Sequence, residues 1–254
     1  MRLGDFEYPS LKGKVSDAEW QARVDLAALC RLIPLMGWWD LSQAPASARI
    51  GDGSGHYLFN PVGFLLEEVT ASSLVKITLD GDYVDDTPLK IMRGGWYPMQ
   101  AVHAVRPDAN FVIHSHDDYT AALSARQDPL LPISQFAGFV LADGLAYHDF
   151  DGVETHEERM ASVQASLGQA NMLILRNHGV VTLGYVAYHA LARMANLRKS
   201  CVIQLYAGQS ADVRPISPEV MPSFREEIDR GVVVDNLWQG LLRKLDRLDP
   251  SYKD

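Results

Sequence analysis

Two histidines at the end of an apolar run are the first residues in this sequence whose type and spacing could do chemistry. His114 and His116 lie one residue apart in "NFVIHSHDDY", residues 110–119. If the run is a strand, side chains alternate between its faces, so both imidazoles project to one side and could reach one metal ion. Polar residues at a strand end more often only form hydrogen bonds, so the pair alone leaves a metal site and an ordinary strand edge both open.

A metal site needs further ligands, and His178 is the best third candidate. It lies in "RNHGVV", between a strongly apolar segment and a glycine that permits a tight turn. A polar dipeptide inside so apolar a stretch needs a partner. The other five histidines lack matched spacing, which favours structural roles for them. They are His148 and His56, the first two to consider as alternatives, and His103, His156 and His189.

The composition argues against several classes of function. The chain has 254 residues, 47% of them hydrophobic, and a formal net charge of −9 with scattered basic residues, so nucleic acid is not expected as a partner. No apolar stretch approaches the roughly 20 residues that span a bilayer, and residues 1–14 lack the apolar core of a signal peptide. We therefore expect a cytoplasmic protein without a membrane partner. Cys30 and Cys201 lie in apolar helical patterns, as buried free thiols do.

The elements that precede the histidine pair combine helices and antiparallel sheet. A capping box formed by Ser16 and Glu19 precedes an apolar stripe of helical period, which predicts a helix that Pro34 disturbs or ends. The segments "HYLF" and "LVKITL" are predicted strands, and "DYVDD" is expected to pair with the second across Asp80-Gly81. The segment "WYPMQAVHAV" predicts a helix that ends before Pro107.

Further along the chain, strands and helices alternate. Strands are predicted at "NFVIHSH", "GFVLA" and "LAYHDF", with two more pieces in "MLILRNHGVVTLG". Helices are predicted at about 119–126, 157–167 and 185–207, and an amphipathic helix near the C-terminus carries an apolar stripe typical of a docking face. We predict one main domain at residues 1–208 and a helical tail at 209–254 that packs on the same or a neighbouring subunit.

Two segments together resemble a known family. "VRPDANFVIHSHDDYTAALSA" and, some 60 residues later, "MLILRNHGVVTLG" are similar to the histidine motifs of the class II aldolase and adducin family, and the resemblance covers roughly residues 20–207. It implies a three-layer α-β-α fold with a central, mostly antiparallel sheet. It also implies that His114, His116 and His178 bind a divalent ion, which could be Zn, Mn, Fe or Co, and that the protein is a homo-oligomer, most commonly a cyclic tetramer.

The sequence departs from the sugar-phosphate aldolases of that family at the positions of their catalytic and phosphate-binding groups. Their catalytic glutamate stands 19 residues ahead of the first metal histidine, where this chain has Gly95. Their phosphate-binding segments become "APASAR" around Pro45, Asn60-Pro61 and Arg93-Gly94. A guanidinium at Arg93 can hold a carboxylate through two parallel hydrogen bonds, although an ion-paired arginine at a turn is as good an interpretation. We predict a carboxylic acid substrate without phosphate, bound near Arg93, Asn60 and Gly95.

The acidic and phenolic groups next to the histidine pair are the nearest candidates for proton transfer. Asp117, Asp118 and Tyr119 follow His116 directly. A tyrosine close to a cation can have a lowered pKa, and aspartates at the start of a helix are typical caps. We interpret Asp117 as a cap and predict catalytic roles for Tyr119 and Asp118.

Three functions compete on these observations. The first is a metal-dependent lyase that cleaves a carbon-carbon bond in a non-phosphorylated oxo- or hydroxy-carboxylic acid, by retro-aldol reaction or by decarboxylation. The second is a non-haem iron oxygenase acting on an aromatic or oxo acid, for which the usual two-histidine, one-carboxylate ligand set is missing unless an aspartate joins. The third is a non-catalytic interaction module like the adducins, against which the complete histidine triad argues.

Overall fold

The structure is a computed structural model of the chain. It describes residues 8–38, 41, 45–152, 157–208, 212–230 and 235–254. His156, for which the sequence favours a structural role, lies outside the described residues, as do residues 209–211 at the start of the predicted tail.

One seven-stranded sheet forms the middle layer, in the order β3-β2-β1-β4-β7-β6-β5. All neighbouring pairs are antiparallel except β5 and β6, which are parallel. The mostly antiparallel sheet that the family resemblance implies is therefore confirmed. The strands are β1 (Ala46–Arg49), β2 (Tyr57–Phe59), β3 (Val75–Ile77), β4 (Phe111–Ser115), β5 (Leu145–His148), β6 (Met172–Leu175) and β7 (Gly179–Gly184).

Helices form the outer two layers. On one face, α1 (Asp17–Leu35), α3 (Asp118–Ser124) and α4 (Gln135–Asp143) each pack against the long helix α6 (Ala187–Ala207). On the other face, α2 (Arg93–Val105) packs against α5 (Glu157–Leu167). Two further α-helices of the described residues are α7 (Met221–Asp229) and α8 (Asp235–Leu248). Among the described residues, no helix combines the length and apolar character that crossing a bilayer requires.

Three local predictions differ from the structure. "GFVLA" lies in helix α4 and not in a strand; Ser134 caps this helix, and a short apolar run does not distinguish a buried helix from a buried strand. "DYVDD" forms only an isolated bridge, Ile77 to Tyr83, and no strand. Strand β1, "ASAR", has no β-branched or aromatic residue to signal it, yet it lies between β2 and β4 near the middle of the sheet.

The residues beyond 211 that the structure describes pack on the rest of this chain. The ring of Phe224 on α7 lies against Gly138 of α4, where a Cβ atom would come within 2.4 Å of Phe224 Cζ. Tyr252 is completely buried, and its carbonyl accepts a hydrogen bond from the Ala71 N–H. Arg31 of α1 forms a 2.8 Å ion pair with Asp249. The boundary between a main domain and a tail stays a prediction.

Four charged side chains form a cluster between α1 and β3, which we call the charged cluster: Glu19, Arg23, Lys76 and Asp85. Arg23 is 1% exposed, and it donates to Glu19 at 2.8 Å and to the carbonyls of Ala71 and Leu74. Lys76 Nζ lies 3.2 Å from Glu19 and 3.3 Å from Asp85. Burial lowers the pKa of Arg23, while the Glu19 carboxylate opposes that effect. Each buried charge thus has an opposite charge within the chain.

Candidate metal centre

Three imidazoles converge on one point beside the sheet, and we call them the histidine cluster: His114, His116 and His178. Their ring centroids lie 4.5 to 4.8 Å apart, and the Nε2 atoms of His116 and His178 are 2.9 Å apart. The nitrogens that could serve as ligands all lie within 4.8 Å of one another. In a tetrahedral site with metal–nitrogen distances of about 2.0 Å, the ligand nitrogens lie roughly 3.3 Å from one another. That value falls within the range of separations in the histidine cluster. Among the residues that the structure describes, no carboxylate joins this cluster.

Two adjacent strands and the turn between β6 and β7 bring the three side chains together. His114 is on β4, paired with Val181 of β7, and His116 follows the end of β4. His178 belongs to the turn that connects β6 to β7, where Asn177 has a left-handed φ of 57°. A Cβ atom at Gly179 would lie 2.3 Å from the Ser115 carbonyl oxygen. Only glycine therefore allows β7 to approach β4 closely enough to place His178 beside His116.

The chain holds His114 in the tautomer that a metal requires. Its Nδ1 lies 2.9 Å from the Val180 carbonyl oxygen, which can only accept, so Nδ1 carries the proton and the Nε2 lone pair is available as a ligand. Burial lowers the pKa of His114 well below its ordinary value, and the neighbouring His116 and His178 add to this effect. Burial, followed by His116, lowers the pKa of His178 to about 4. Neutral imidazoles with a fixed tautomer fit a divalent transition metal.

A cavity of about 460 Å³ opens onto the histidine cluster. One side is apolar, with Tyr97, Pro98 and Ala101 of α2 opposite Met160 and Val163 of α5. The polar residues that line it, besides the cluster itself, are His148, Asp149, Asp151, Arg159, Arg176 and Asn177. This combination of a mostly apolar wall and a few convergent polar groups is typical of a binding site for a small molecule.

Of the three predicted substrate-binding residues, the structure brings one to the cavity. Gly95 lines it, and a Cβ atom there would come within 3.4 Å of Pro45 Cγ. Asn60 is buried, and its Oδ1 accepts a hydrogen bond from the Ala46 N–H. Arg93 points away: its side chain is 55% exposed and pairs with Asp82 at 3.4 Å. The cavity lining does not include Asn60 or Arg93.

Neither predicted catalytic residue lines the cavity in the described part of the chain. Asp118 is exposed at the start of α3. The Tyr119 ring lies near Tyr206 and under the guanidinium of Arg198, and a hydrogen bond with Tyr206 raises the pKa of Tyr119. The lowered pKa that the sequence suggests for Tyr119 depends on a cation bound nearby and stays a prediction. Asp117 is the helix cap that the sequence indicates; it accepts from the Tyr119 and Thr120 N–H groups and pairs with Arg198 at 2.6 Å.

Among the polar residues of the cavity, the sequence offers His148 only as an alternative to be considered, and it does not indicate Arg159 or Arg176. His148 ends β5, and Arg176 follows β6 in the same turn as His178, so the "RNH" tripeptide carries a cation as well as a ligand. Arg159 lies in the first turn of α5, with its guanidinium next to Gly152. The pairing of β5 with β6 brings His148 and Arg176 to one cavity, and α5 adds Arg159; no spacing along the sequence reveals these contacts.

Comparison with known proteins defines the class of protein to which this fold and site belong. A sequence model described as the class II aldolase and adducin N-terminal domain matches residues 24–205. The chain belongs to the class II aldolase and adducin family.

Individual relatives lie in both branches of that family. A Caulobacter vibrioides protein assigned by name to the class 2 aldolases is 45% identical over 249 residues, 96% of each chain. Alpha-adducin of Mus musculus is 42% identical over 192 residues, which are 74% of this chain and 26% of the adducin. The crystal structure of an aldolase II superfamily protein from Pseudomonas syringae has a TM-score of 0.91 at 37% identity, covering 97% of this chain and 100% of that one.

Proposed function

We propose that this protein is a metal-dependent lyase that cleaves a carbon-carbon bond in a non-phosphorylated oxo- or hydroxy-carboxylic acid, by retro-aldol reaction or by decarboxylation. The observation that carries the proposal is the convergence of three imidazoles at a cavity large enough for a small organic acid. Zn, Mn, Fe and Co are all compatible with three imidazole ligands. An ion bound there would supply Lewis-acid polarisation of a carbonyl or enolate oxygen of the substrate.

The chain's own residues would bind and orient the acid. Arg159 and Arg176 provide positive charge to the cavity, and this role moves to them from Arg93, which pairs with Asp82. Arg176 is held by the Arg126 carbonyl and stacks over Tyr147, so its position is fixed before an acid binds. The apolar wall between α2 and α5 offers few partners to the hydroxyl groups of a sugar, which supports a compact acid as substrate.

The test uses purified protein loaded with Mn²⁺, Zn²⁺ or Co²⁺ and a panel of oxo and hydroxy acids, each paired with a phosphorylated counterpart. We expect release of carbon dioxide or an aldehyde from at least one acid, a preference for the form without phosphate, and loss of product in His116→Ala. His56→Gln is the matched control, because His56 does not line the cavity. A panel without product, or a preference for the phosphorylated partners, would contradict the proposal.

The similarity to alpha-adducin supports a second candidate, a non-catalytic interaction module. Metal analysis separates the two candidates, because an interaction module has no need of the ion. Protein that contains no transition metal and takes up none on titration would favour the module. The proposal also includes a homo-oligomer, with a tetramer favoured, which light scattering of the purified protein tests directly.

A further inference from the structure

We infer that His148 is the residue that exchanges protons with the substrate in this cavity, in place of the carboxylate that position 95 lacks. The inference rests on the proposed function, because it requires an acid bound next to the histidine cluster. His148 lines the same cavity as the three clustered imidazoles and Gly95.

The sheet places His148 on the same edge as His178. Strands β5 and β6 are parallel, with His148 paired to Leu175 at their last position. The Arg176 N–H then donates to the His148 carbonyl at 2.8 Å, before the chain turns into His178. Because the carboxyl ends of parallel strands meet at one edge of a sheet, residues that follow or end these strands face a common space.

The contacts of the His148 ring leave one nitrogen unused. Nδ1 lies 3.0 Å from Ser166 Oγ, a group that can fix the orientation of the ring. Nε2 is buried and has no hydrogen-bond partner among the residues that the structure describes. A carboxylate oxygen of Asp151, Oδ2, lies 3.5 Å from Nε2. A buried ring nitrogen without a partner costs stability unless a bound molecule supplies one.

This arrangement provides the groups that proton transfer in a retro-aldol cleavage requires. Nε2 takes the proton of the substrate hydroxyl, and the electron pair of that O–H bond becomes the second bond of a carbonyl. The pair from the broken carbon-carbon bond is left on the carbon next to the substrate's carbonyl group, where it is delocalised as an enolate, and the imidazolium returns the proton to that carbon. Asp151 stabilises the imidazolium between the two transfers. Atoms and electrons balance without an oxidant or reductant.

The inference is tested by binding, with tartronate as the probe, because its hydroxyl lies between two carboxylates. The protein is labelled with ¹⁵N-histidine and loaded with Zn²⁺, and the ring signals of His148 are identified by their absence in His148→Gln. We expect tartronate to shift those signals. We expect His148→Gln to bind tartronate about tenfold or more weakly, the loss of one hydrogen bond to a charged group, with unchanged affinity for Zn²⁺. His56→Gln is expected to match the unmodified protein in both affinities.

Each other outcome has a definite meaning. If tartronate binds but the His148 signals do not move and His148→Gln retains full affinity, the inference is overturned while the proposed function stands. If Zn²⁺ binds but neither tartronate, lactate nor pyruvate does, the proposed function fails and this inference with it. If His148→Gln does not fold, Ser166→Ala replaces it, because removing the Ser166 hydroxyl moves the ring signals of His148 and so identifies them. The inference then stands if tartronate shifts these signals in the unsubstituted protein, and it is overturned if tartronate binds without shifting them.

Discussion

Two clusters of ionisable side chains in this protein differ in the partners that the side chains have: the charged cluster combines cations with carboxylates, and the histidine cluster consists of imidazoles. In the charged cluster, each cation has a carboxylate within 3.3 Å, and Arg23 also donates to two carbonyls. In the histidine cluster, the three rings lie against one another, and the Val180 carbonyl holds Nδ1 of His114. The first arrangement pairs every cation with a carboxylate, whereas the second brings three imidazoles together with no carboxylate among its described members.

His103 shows that the distinction does not follow from residue type. It is 3% exposed, with Nδ1 at 2.9 Å from the Ala109 carbonyl and Nε2 at 2.9 Å from Ser47 Oγ. Both nitrogens of this buried histidine have a partner, and its ring packs against Tyr57 and Trp96. A buried histidine satisfied in this way stabilises the fold, so the unsatisfied ones are the better guide to function.

The largest effect is expected from breaking the charged cluster. Glu19→Gln leaves the buried guanidinium of Arg23 without its nearest counter-charge, so we expect a loss of about 3–5 kcal/mol in the free energy of unfolding. Denaturant titration at neutral pH measures it. The double variant Glu19→Leu with Arg23→Met removes both charges and is expected to lose less than Glu19→Gln alone. The fraction that folds is expected to bind Zn²⁺ normally; weakened metal binding would show that the two clusters are coupled.

Breaking the histidine cluster is expected to weaken metal binding and to leave the stability of the metal-free protein nearly unchanged. His178→Ala removes one ligand, and we expect at least a 100-fold loss of Zn²⁺ affinity, about 2.7 kcal/mol, measured by competition with a chelator. The metal-free variant is expected to unfold at nearly the same denaturant concentration as the unsubstituted protein, because the ring is half-buried and stabilises little without an ion. A large loss of stability in the metal-free variant would place His178 with the structural histidines.

The pH dependence of stability is expected to identify His103 as structural. Burial, with a smaller effect from Arg49, lowers the pKa of His103 to about 3, against about 6.5 in the unfolded chain. The unfolded state therefore binds an extra proton below pH 6.5, so stability is complete above that pH and falls as the pH drops toward 3. Between pH 6.5 and 5, His103 should contribute a loss of about 2 kcal/mol. His103→Gln should show a shallower slope by that amount in denaturant titrations; parallel slopes would contradict the assignment.

The sequence predicts those parts of the site and the fold whose residues lie close together along the chain. The histidine cluster could be predicted because His114 and His116 share a strand and because "RNHG" combines a polar dipeptide with a glycine that the close approach to Ser115 demands. The alternation of strands and helices can also be predicted from the sequence, with two exceptions. "GFVLA" is too short to show a period, and "ASAR" contains no β-branched or aromatic residue.

The rest of the site depends on contacts between distant segments. His148 and Arg176 meet because β5 pairs with β6, and Arg159 reaches the same cavity from α5. The positions that bind phosphate in related enzymes predict Arg93 and Asn60 at the site. In the structure, Arg93 pairs with Asp82, and Asn60 accepts a hydrogen bond from the Ala46 N–H. Motif spacing does not predict these partners. The sequence indicates which side chains can do chemistry, while the packing decides which of them are free to do it.

The smallest effect is expected at Arg93, and it sharpens the contrast between a cation outside the cavity and a cation that lines it. Arg93 pairs with Asp82 at 3.4 Å in an exposed position, where such pairs contribute little, so Arg93→Ala should change the free energy of unfolding by about 0.5 kcal/mol or less and leave tartronate affinity unchanged. Arg159→Ala, its counterpart inside the cavity, should weaken tartronate binding to the Zn²⁺-loaded protein because it removes positive charge next to the bound acid. Calorimetric titration of both variants measures the two affinities. If both variants bind tartronate as tightly as the unsubstituted protein, a different group binds the carboxylate. If only Arg93→Ala loses tartronate affinity, Arg93 has the role that the sequence suggests for it.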